Sequence, residues 1–205
     1  MDRREDALEA AEQAVRLYHQ LAADRPAAFN ADLAGSLNNL SNCLSDVGRQ
    51  EEALVAIEQS VQLGRQLAAD RPAAFNADLA NSLNNLSIRL SDVGRREEAL
   101  VAIEQAVQLS HQLAADRPAA FNAVLALSLN NLSNCLSDVG RREEALVAIE
   151  QSVLLHRQLA AERPAVFSAR LATSLTTLAS ILSKLNRLED ASLAEQEADS
   201  LRLMH

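Results

Sequence analysis

The sequence repeats itself at a fixed interval of 46 residues, the separation of Ser36 from Ser82. The segment from Ser36 to Leu63 recurs with few changes from Ser82 to Leu109 and from Ser128 to Leu155, and in a more divergent form from Ser174 to Leu201. Internal repetition at periods of about 20–50 residues is typical of solenoids, in which each unit buries its apolar face by stacking on the next. The period therefore predicts a solenoid.

The first half of each repeat has the pattern of a helix with one buried stripe, which we call helix A. In the first repeat the stripe consists of Phe29, Leu33, Leu37, Leu40, Leu44 and Val47. These residues are three or four positions apart, which is the spacing of one helix face. Gly48 follows the stripe, at the place where a left-handed residue commonly ends a helix.

The second half of the repeat predicts another helix, which we call helix B. The acidic pair Glu51 and Glu52 suits the positive end of a helix dipole. The apolar positions that follow are again helically spaced, and they are Ala53, Leu54, Ile57, Val61 and Leu67. Pro72 disfavours helical geometry in the residue before it and suits the first turn of the next helix A. Each repeat is therefore predicted to be an antiparallel helical hairpin.

The repeat boundaries predict nine helices. Residues 3–25 align without a gap to residues 49–71, so the chain begins with a helix B that has no helix A. Complete pairs follow, and they occupy 26–71, 72–117, 118–163 and, in divergent form, 164–205. In the last pair Glu195 and Asp199 replace the Ile and Val of earlier repeats, as expected of a C-terminal cap. We expect the unpaired first helix to mean that Met1 lies inside a longer array of a larger protein; the alternative is an orphan capping helix.

The repeat resembles the tetratricopeptide repeat family in a long form, similar to arrays in bacterial and fungal signalling proteins. The helix A pattern of that family is matched by Leu37, Leu40, Ser41 and Leu44, with the turn glycine at Gly48, and its helix B pattern is matched by Ala53, Ile57 and Ser60. The departures are 12 additional residues per repeat and leucines where the family usually has Trp and Tyr. The resemblance implies an all-α, right-handed solenoid of antiparallel helix pairs.

Composition and motifs argue against several functions. A net charge of −9 disfavours nucleic-acid binding, which depends on clustered Lys and Arg. The paired carboxylates recur at every helix B start, where the dipole explains them, and a catalytic acid–base pair would be unique. We therefore expect no enzymatic activity and no cofactor.

Metal and membrane binding are not expected either. The four histidines show no metal-ligand spacing, and they are His19, His111, His156 and His205. Cys43 and Cys135 occupy equivalent positions 92 residues apart, and the stacking of two repeats should hold them beyond disulfide reach. Free thiols suit a reducing compartment. With no signal peptide and no run of 18 apolar residues, a cytoplasmic location is expected.

The helix A residues opposite the leucine stripe are the candidate binding residues, and we call this surface the helix-A face. In repeat one it comprises Ala28, Asp32, Gly35, Asn39, Asn42 and Asp46. In the resembled family these positions line a concave groove. Later repeats contribute Asp78, Asn81, Asn85, Asp92, Val124, Leu127, Asn131 and Asp138. The changes from Asp78 to Val124 and from Asn81 to Leu127 indicate side pockets that become more apolar, or simple drift of exposed positions after duplication.

Asn39, Asn85 and Asn131 stand at one identical position per repeat, directly before a leucine. An asparagine side chain has both donors and an acceptor, so a row of them can pair with the backbone of an extended peptide. Some arrays in the resembled family use such a row for this purpose. The alternative is that each asparagine bonds a neighbouring helix and only shapes the array. The row stops at Thr177 in the fourth repeat.

Two functions of different class remain. One is a non-catalytic scaffold that binds an extended peptide or partner segment in the groove of helices A, as the sensor or recruitment arm of a larger protein. The other is a structural spacer that associates with itself through the open N-terminal helix B. Concentration-dependent mass by light scattering distinguishes them.

Overall fold

The computed structural model describes residues 3–203, and within them it contains nine α-helices and no strand. The helices are α1 (Arg3–Asp24), α2 (Pro26–Asp46), α3 (Gln50–Asp70), α4 (Pro72–Asp92), α5 (Arg96–Asp116), α6 (Pro118–Asp138), α7 (Arg142–Glu162), α8 (Pro164–Lys184) and α9 (Leu188–Leu203). The predicted all-α fold of helix pairs is confirmed, with even-numbered helices as helices A and odd-numbered helices as helices B. Met1 and His205 lie outside the described residues.

Short turns hold each pair antiparallel. Gly48 has a φ of +81°, and the N–H groups of Gly48 and Arg49 donate to the carbonyls of Ser45 and Leu44 at 3.0 and 2.9 Å. This pattern is the Schellman motif, which satisfies the last carbonyls of a helix. Gly94 and Gly140 repeat the positive φ, and Asn186 adopts it in the last pair. The predicted role of Gly48 is therefore confirmed.

Helix B begins with an arginine and glutamate pair. The Arg49 guanidinium donates to Glu52 at 2.6 Å and pairs with Glu12 of the preceding helix B at 3.4 Å. The hydrogen bond from Arg49 lowers the pKa of the Glu52 carboxyl from its ordinary value. Arg95 bridges Glu98 and Glu58 in the same way. These side chains are exposed, so each pair contributes little to stability, although the pairs link successive helices B at equivalent places.

The chain divides into two compact units, Met1–Leu109 and Ser110–His205. In the first unit α2 packs between α1 and α3, α3 packs on α4, and α2 contacts α4 directly. In the second unit α6, α7, α8 and α9 pack in sequence and α6 contacts α8. Among the described residues no Cα of α1 comes within 8 Å of α3, nor any of α7 within 8 Å of α9. Within each unit, neighbouring helices A are therefore closer together than neighbouring helices B.

The core of each unit follows the predicted stripes. Leu33, Leu37 and Leu44 are buried in α2, whereas Leu40 and Phe29 are half-buried. Leu83 is among the most deeply buried large side chains of the first unit, with 1% of its surface exposed. Leu86 is 9% exposed and lines an open groove between α3 and α5. Leu83 is therefore the most deeply buried of the large side chains of α4.

Each repeat phenylalanine carries an arginine on its ring. The guanidinium carbons of Arg25, Arg71, Arg117 and Arg163 lie 4.8–5.0 Å from the ring centroids of Phe29, Phe75, Phe121 and Phe167, respectively. A cation at this distance is attracted by the ring face. The pair spans the start of each helix A, with the proline between its members. Only Phe167 is fully buried, so these rings are boundary residues more than the central core that the stripe predicted.

α8 is the one helix among residues 3–203 that is long and apolar enough to cross a bilayer. Its most apolar 18-residue window has a mean hydropathy of 1.4, and half of that window is buried. α8 packs between α7 and α9, and Phe167, Leu175 and Ile181 are nearly inaccessible. Burial of this extent is typical of the core helix of a stacked array.

His156 is buried in the second unit with a partly satisfied ring. Its Nδ1 lies 2.9 Å from Ser174 Oγ, and its Nε2 has no partner within the described structure. Burial, with a smaller effect of the Arg170 charge, lowers the pKa of His156 from 6.5 to about 4. The ring is therefore neutral in the folded chain at neutral pH.

Buried His156 should make the second unit sensitive to acid. Because its pKa is lower in the folded chain, the unfolded chain takes up the proton first as the pH falls. The free energy of unfolding should be unaffected above about pH 6.5 and should decline toward pH 4 by up to ~1.4 kcal/mol per pH unit. His156→Ser, which installs the residue found at the equivalent Ser110, should remove this part of the decline. Urea unfolding of both proteins at pH 7 and pH 5 measures it; equal pH dependence would contradict the assignment.

The packing of α4 gives a stability prediction. Leu83→Ala should lower the free energy of unfolding by about 2–5 kcal/mol, because it leaves a cavity in close-packed surroundings. Leu86→Ala should cost less, since water can enter the adjoining groove. Asn81→Ala, on the exposed surface of the same helix, should stay within about 0.5 kcal/mol of the parent. Urea midpoints of the three variants give the order, and a Leu86 variant less stable than the Leu83 variant would reverse it.

Candidate functional site

The structure places most of the candidate residues at the surface. The exposed ones are Asp32, Asn39, Asp46, Asp78, Asn81 and Asp92 in the first unit and Leu127 and Asp138 in the second. Asn42, Asn85, Val124 and Asn131 are half-buried. Six of these exposed polar side chains make no hydrogen bond or ion pair with another described residue, and these are Asp32, Asn39, Asp46, Asp78, Asn81 and Asp138. Their polar groups are available to a ligand.

The asparagine row has a structural partner that the sequence analysis missed. Asn85 Nδ2 donates to Asn38 Oδ1 of the preceding helix A at 3.0 Å. Asn38 belongs to an inner row with Asn84 and Asn130, which are only 5% and 6% exposed. The sequence carries this row as the first asparagine of the repeated Asn-Asn pair. At Asn85 the alternative interpretation, a bond to a neighbouring helix, is therefore what the structure shows.

The same bond is missing in the second unit. Thr177 occupies the position of Asn85 and donates instead to the Thr173 carbonyl of its own helix at 3.3 Å. Asn130 Oδ1, the counterpart of the Asn38 acceptor, is buried and has no partner in the described structure. A buried acceptor without a donor costs stability. The change from Asn to Thr at position 177 accounts for it.

A small cavity opens on the helix-A face of the first unit. It has a volume of about 230 Å³ and lies where α2, α3 and α4 meet. Asn38, Asp78 and Asn81 supply its polar lining, and Phe75 supplies an aromatic wall. Gly35 and Gly64 also line it, and a Cβ built on Gly35 would touch nothing within 4 Å. The cavity exists because two helical positions lack side chains.

In the second unit the equivalent positions carry larger groups. Leu127 stands at the position of Gly35, His156 at that of Gly64, and Arg170 at that of Asp78. The buried imidazole of His156 occupies the volume that Gly64 leaves open. The charge at the mouth is also reversed, from the carboxylate of Asp78 to the guanidinium of Arg170.

Acidic residues at the C-terminal ends of helices A differ in whether they pair with other side chains. Asp92 pairs with Arg89 at 3.1 Å, and Arg89 also donates to Ser45 Oγ of the preceding repeat. Lys184 replaces the aspartate in the last repeat and donates to Ser137 Oγ at 2.9 Å. Asp46 and Asp138 have no side-chain partner of this kind among residues 3–203. These ends therefore contribute to repeat stacking as well as to surface charge.

A second type of groove runs between helices B. One of about 650 Å³ lies between α3 and α5, and one of about 380 Å³ lies at the equivalent place between α1 and α3. Leucines of helix A form the floor, and the Arg95–Glu58 and Arg49–Glu12 pairs cross the rim. Within residues 3–203 no cluster of three His, Cys, Asp or Glu side chains is placed to hold a metal ion. These surfaces can contact a ligand through hydrogen bonds, charged groups and apolar side chains.

The unpaired Asn130 gives a test of the inner row. Thr177→Asn should place a donor against Asn130 Oδ1, as Asn85 does for Asn38, and should raise the free energy of unfolding by about 0.5–1.5 kcal/mol. Thr and Asn have similar helix propensities, so the bond should dominate the change. Thr173→Asn, an exposed substitution one turn earlier, is the control. Thermal unfolding that shifts equally in the two variants would exclude the inter-helix bond as the cause.

The structure resembles helical-repeat proteins over its whole length. The crystal structure of a Podosopora anserina putative kinesin light chain with nearly identical TPR-like repeats is 19% identical, with 97% of this chain and 91% of that chain covered and a TM-score of 0.64. BtubC (BKLC) from P. vanneervenii is 15% identical, with 100% and 92% covered and a TM-score of 0.62. The apo form of RapI is 13% identical, with 97% and 65% covered and a TM-score of 0.75. At these identities the likeness shows the fold alone.

The sequence itself matches one family. No curated protein sequence matches the chain significantly. The profile of the tetratricopeptide repeat matches residues 33–71, 79–116 and 125–162, which together are more than half of the chain and fall one in each of the three regular repeats. The chain belongs to the tetratricopeptide repeat family, whose members generally mediate protein–protein interaction.

Proposed function

We propose that this chain is a non-catalytic scaffold that binds an extended segment of a partner protein along its helix-A face. It acts in the cytoplasm as the sensor or recruitment arm of a larger protein. Tetratricopeptide repeat proteins generally bind proteins or peptides, and they generally act without catalysis. The specific proposal is the face and the extended form of the ligand.

The observation that carries the proposal is the set of free polar groups on the helix-A face of the first unit. Asp32, Asn39, Asp78 and Asn81 are exposed and have no side-chain partner within the described residues. Asparagine amides can donate to a peptide carbonyl and accept from a peptide N–H, whatever the side chains of the peptide are. Because neighbouring helices A lie close together within the unit, these groups recur along the face at short intervals.

Asn39 and Asn85 differ in what their side chains can contribute to ligand binding. Asn39 is exposed and makes no side-chain bond within the described structure, so its whole amide can serve a ligand. Asn85 already gives one N–H to Asn38. Replacing it would therefore disturb both the array and a ligand.

A self-associating array is the second candidate, and α1 supplies the observation in its favour. Leu17 and Leu21 are 61% and 38% exposed on α1, whereas their equivalents Leu63 and Leu67 on α3 are half-buried. An apolar surface of this kind favours association. The mass of the chain measured by light scattering should rise with concentration if α1 pairs between copies, and Leu17→Ser should then abolish the rise.

The proposal predicts which substitution weakens binding without weakening the fold. The whole chain is used to select binders from a random dodecapeptide display library, and the selected peptides are titrated by calorimetry. Asn39→Ala should reduce affinity about two- to tenfold, the loss of one or two neutral hydrogen bonds. Its melting temperature should stay unchanged.

Asn85→Ala is the matched comparison for that test. It should reduce affinity by a similar factor and also lower the melting temperature, because it removes the bond to Asn38. Failure of the library to yield any binder, or binders whose affinity is the same for both variants and the parent, would overturn the proposed face.

A further inference from the structure

We propose that the cavity between α2, α3 and α4 is a specificity pocket for a basic side chain, lysine or arginine, of the bound segment. The inference rests on the proposed function, since it assigns one side chain of the peptide that the helix-A face binds. It adds a position of defined chemistry to a surface whose other groups recognise backbone.

The size of the cavity suits one side chain. Its 230 Å³ correspond to the volume of about eight water molecules and fall below the range of about 300–1,000 Å³ typical of pockets for small molecules and cofactors. Gly35 and Gly64 create this depth, and the Phe75 ring beside them can cover the methylene groups of a long basic side chain. An extended backbone on the helix-A face would place alternate side chains toward the protein.

The charge of the cavity lining favours a positively charged side chain. Asp78 is exposed at the cavity and has no ion pair with any described residue. The neighbouring cation, Arg71, lies over the Phe75 ring with its guanidinium carbon 4.8 Å from the centroid and does not pair with Asp78. Asn81 and Asn38 add amide groups to the same lining, and the Asn38 oxygen already accepts from Asn85. The Asp78 carboxylate and the oxygen of the Asn81 amide, which has no partner among the described residues, are acceptors. They match an ammonium or guanidinium group that has only donors.

The second unit serves as an internal contrast. At the equivalent positions Arg170 replaces Asp78, and Leu127 and His156 replace the two glycines. In the second unit these positions therefore present a positive charge, and larger side chains stand where the first unit has its glycines. Basic side chains are therefore favoured at the first unit and disfavoured at the second, so a single site along the peptide should require the positive charge.

The experiment uses the peptides selected on the whole chain from the dodecapeptide library. Most should share one basic residue. Replacing that residue by its neutral isostere, norleucine for lysine or citrulline for arginine, should weaken binding to the parent about two- to fivefold, the upper part of the range for an exposed charge pair. With Asp78→Asn the same replacement should change affinity less than twofold. The difference between the two effects measures the coupling of the peptide charge to Asp78.

Two further variants separate the pocket from general electrostatics. Glu97→Gln removes the same charge from the groove between helices B and should leave the isostere effect at its parental value. Gly64→Ser installs the residue of the equivalent Ser110, and its Cβ would meet Leu79 Cδ1 at 3.4 Å, an ordinary contact. It narrows the cavity while favouring the helix, and it should lower affinity for the basic peptide without lowering the melting temperature.

The outcomes distinguish the two proposals. Selected peptides that lack a shared basic residue, or an isostere effect that is the same in Asp78→Asn and the parent, would overturn the pocket while leaving the peptide-binding face in place. An equal loss of coupling in Glu97→Gln would also overturn it, since the effect would then come from net charge. A library that yields no binders would remove the proposed function and the pocket together.

Discussion

The close approach of successive helices at small residues is the constraint on which the rest of the structure depends. Ala53 and Ala80 in the first unit and Ala126 and Ala145 in the second are completely inaccessible. Interaxial distance between packed helices depends on the side chains at the contact, and alanine allows a short one. The close approach positions the groups around it: the leucine stripes form the core, and in the first unit Asn85 lies within hydrogen-bond distance of Asn38. A larger residue at these positions would separate the helices and break both.

Polar groups are buried in this array because repeats stack in register. Ser60 Oγ lies 3.2 Å from Ser82 Oγ of the next repeat, and Ser152 Oγ lies 3.3 Å from Ser174 Oγ of the next repeat. The 46-residue period thus places partners for these buried hydroxyls on the neighbouring repeat, so a change in one repeat can leave a polar atom of another unsatisfied. The pair of Asn130 and Thr177 is an example. Such bonds resist slippage of one helix against another, because a shift along the axis would leave several buried groups without partners.

The fold could be predicted almost completely from the sequence, because the period and the helical spacing are properties of the backbone pattern. Gly48 was identifiable as a turn residue for the same reason, since φ of +81° is a conformation that glycine adopts without strain. The detail of the surface was harder to predict from the sequence. The inner asparagine row and the arginines over the phenylalanines needed three-dimensional distances, although the repeated Asn-Asn pair and the Arg four residues before each Phe contain them in retrospect. The cavity was missed because a helical glycine usually indicates only a weak position, and its meaning at Gly35 and Gly64 depends on which helices surround it.

Differences between the repeats affect stability more at buried positions than at exposed ones. The side chains of Asp78 and Arg170 are exposed and that of the equivalent Val124 is half-buried. A substitution at this position therefore costs little, so drift after duplication explains it as well as selection does. The position of Gly64, Ser110 and His156 is different, because Ser110 and His156 are buried and each must be accommodated by the residues packed on it. His156 Nδ1 lies 2.9 Å from Ser174 Oγ, and Nε2 has no partner within the described structure. Burial lowers the pKa of His156 to about 4, which makes the folded state vulnerable to acid. A cost of that kind is tolerated where the side chain fills space that would otherwise be a cavity. The open space at Gly64 is also a cost, because the side chains around it lack packing contacts on one side. A ligand side chain that enters this space would restore those packing contacts.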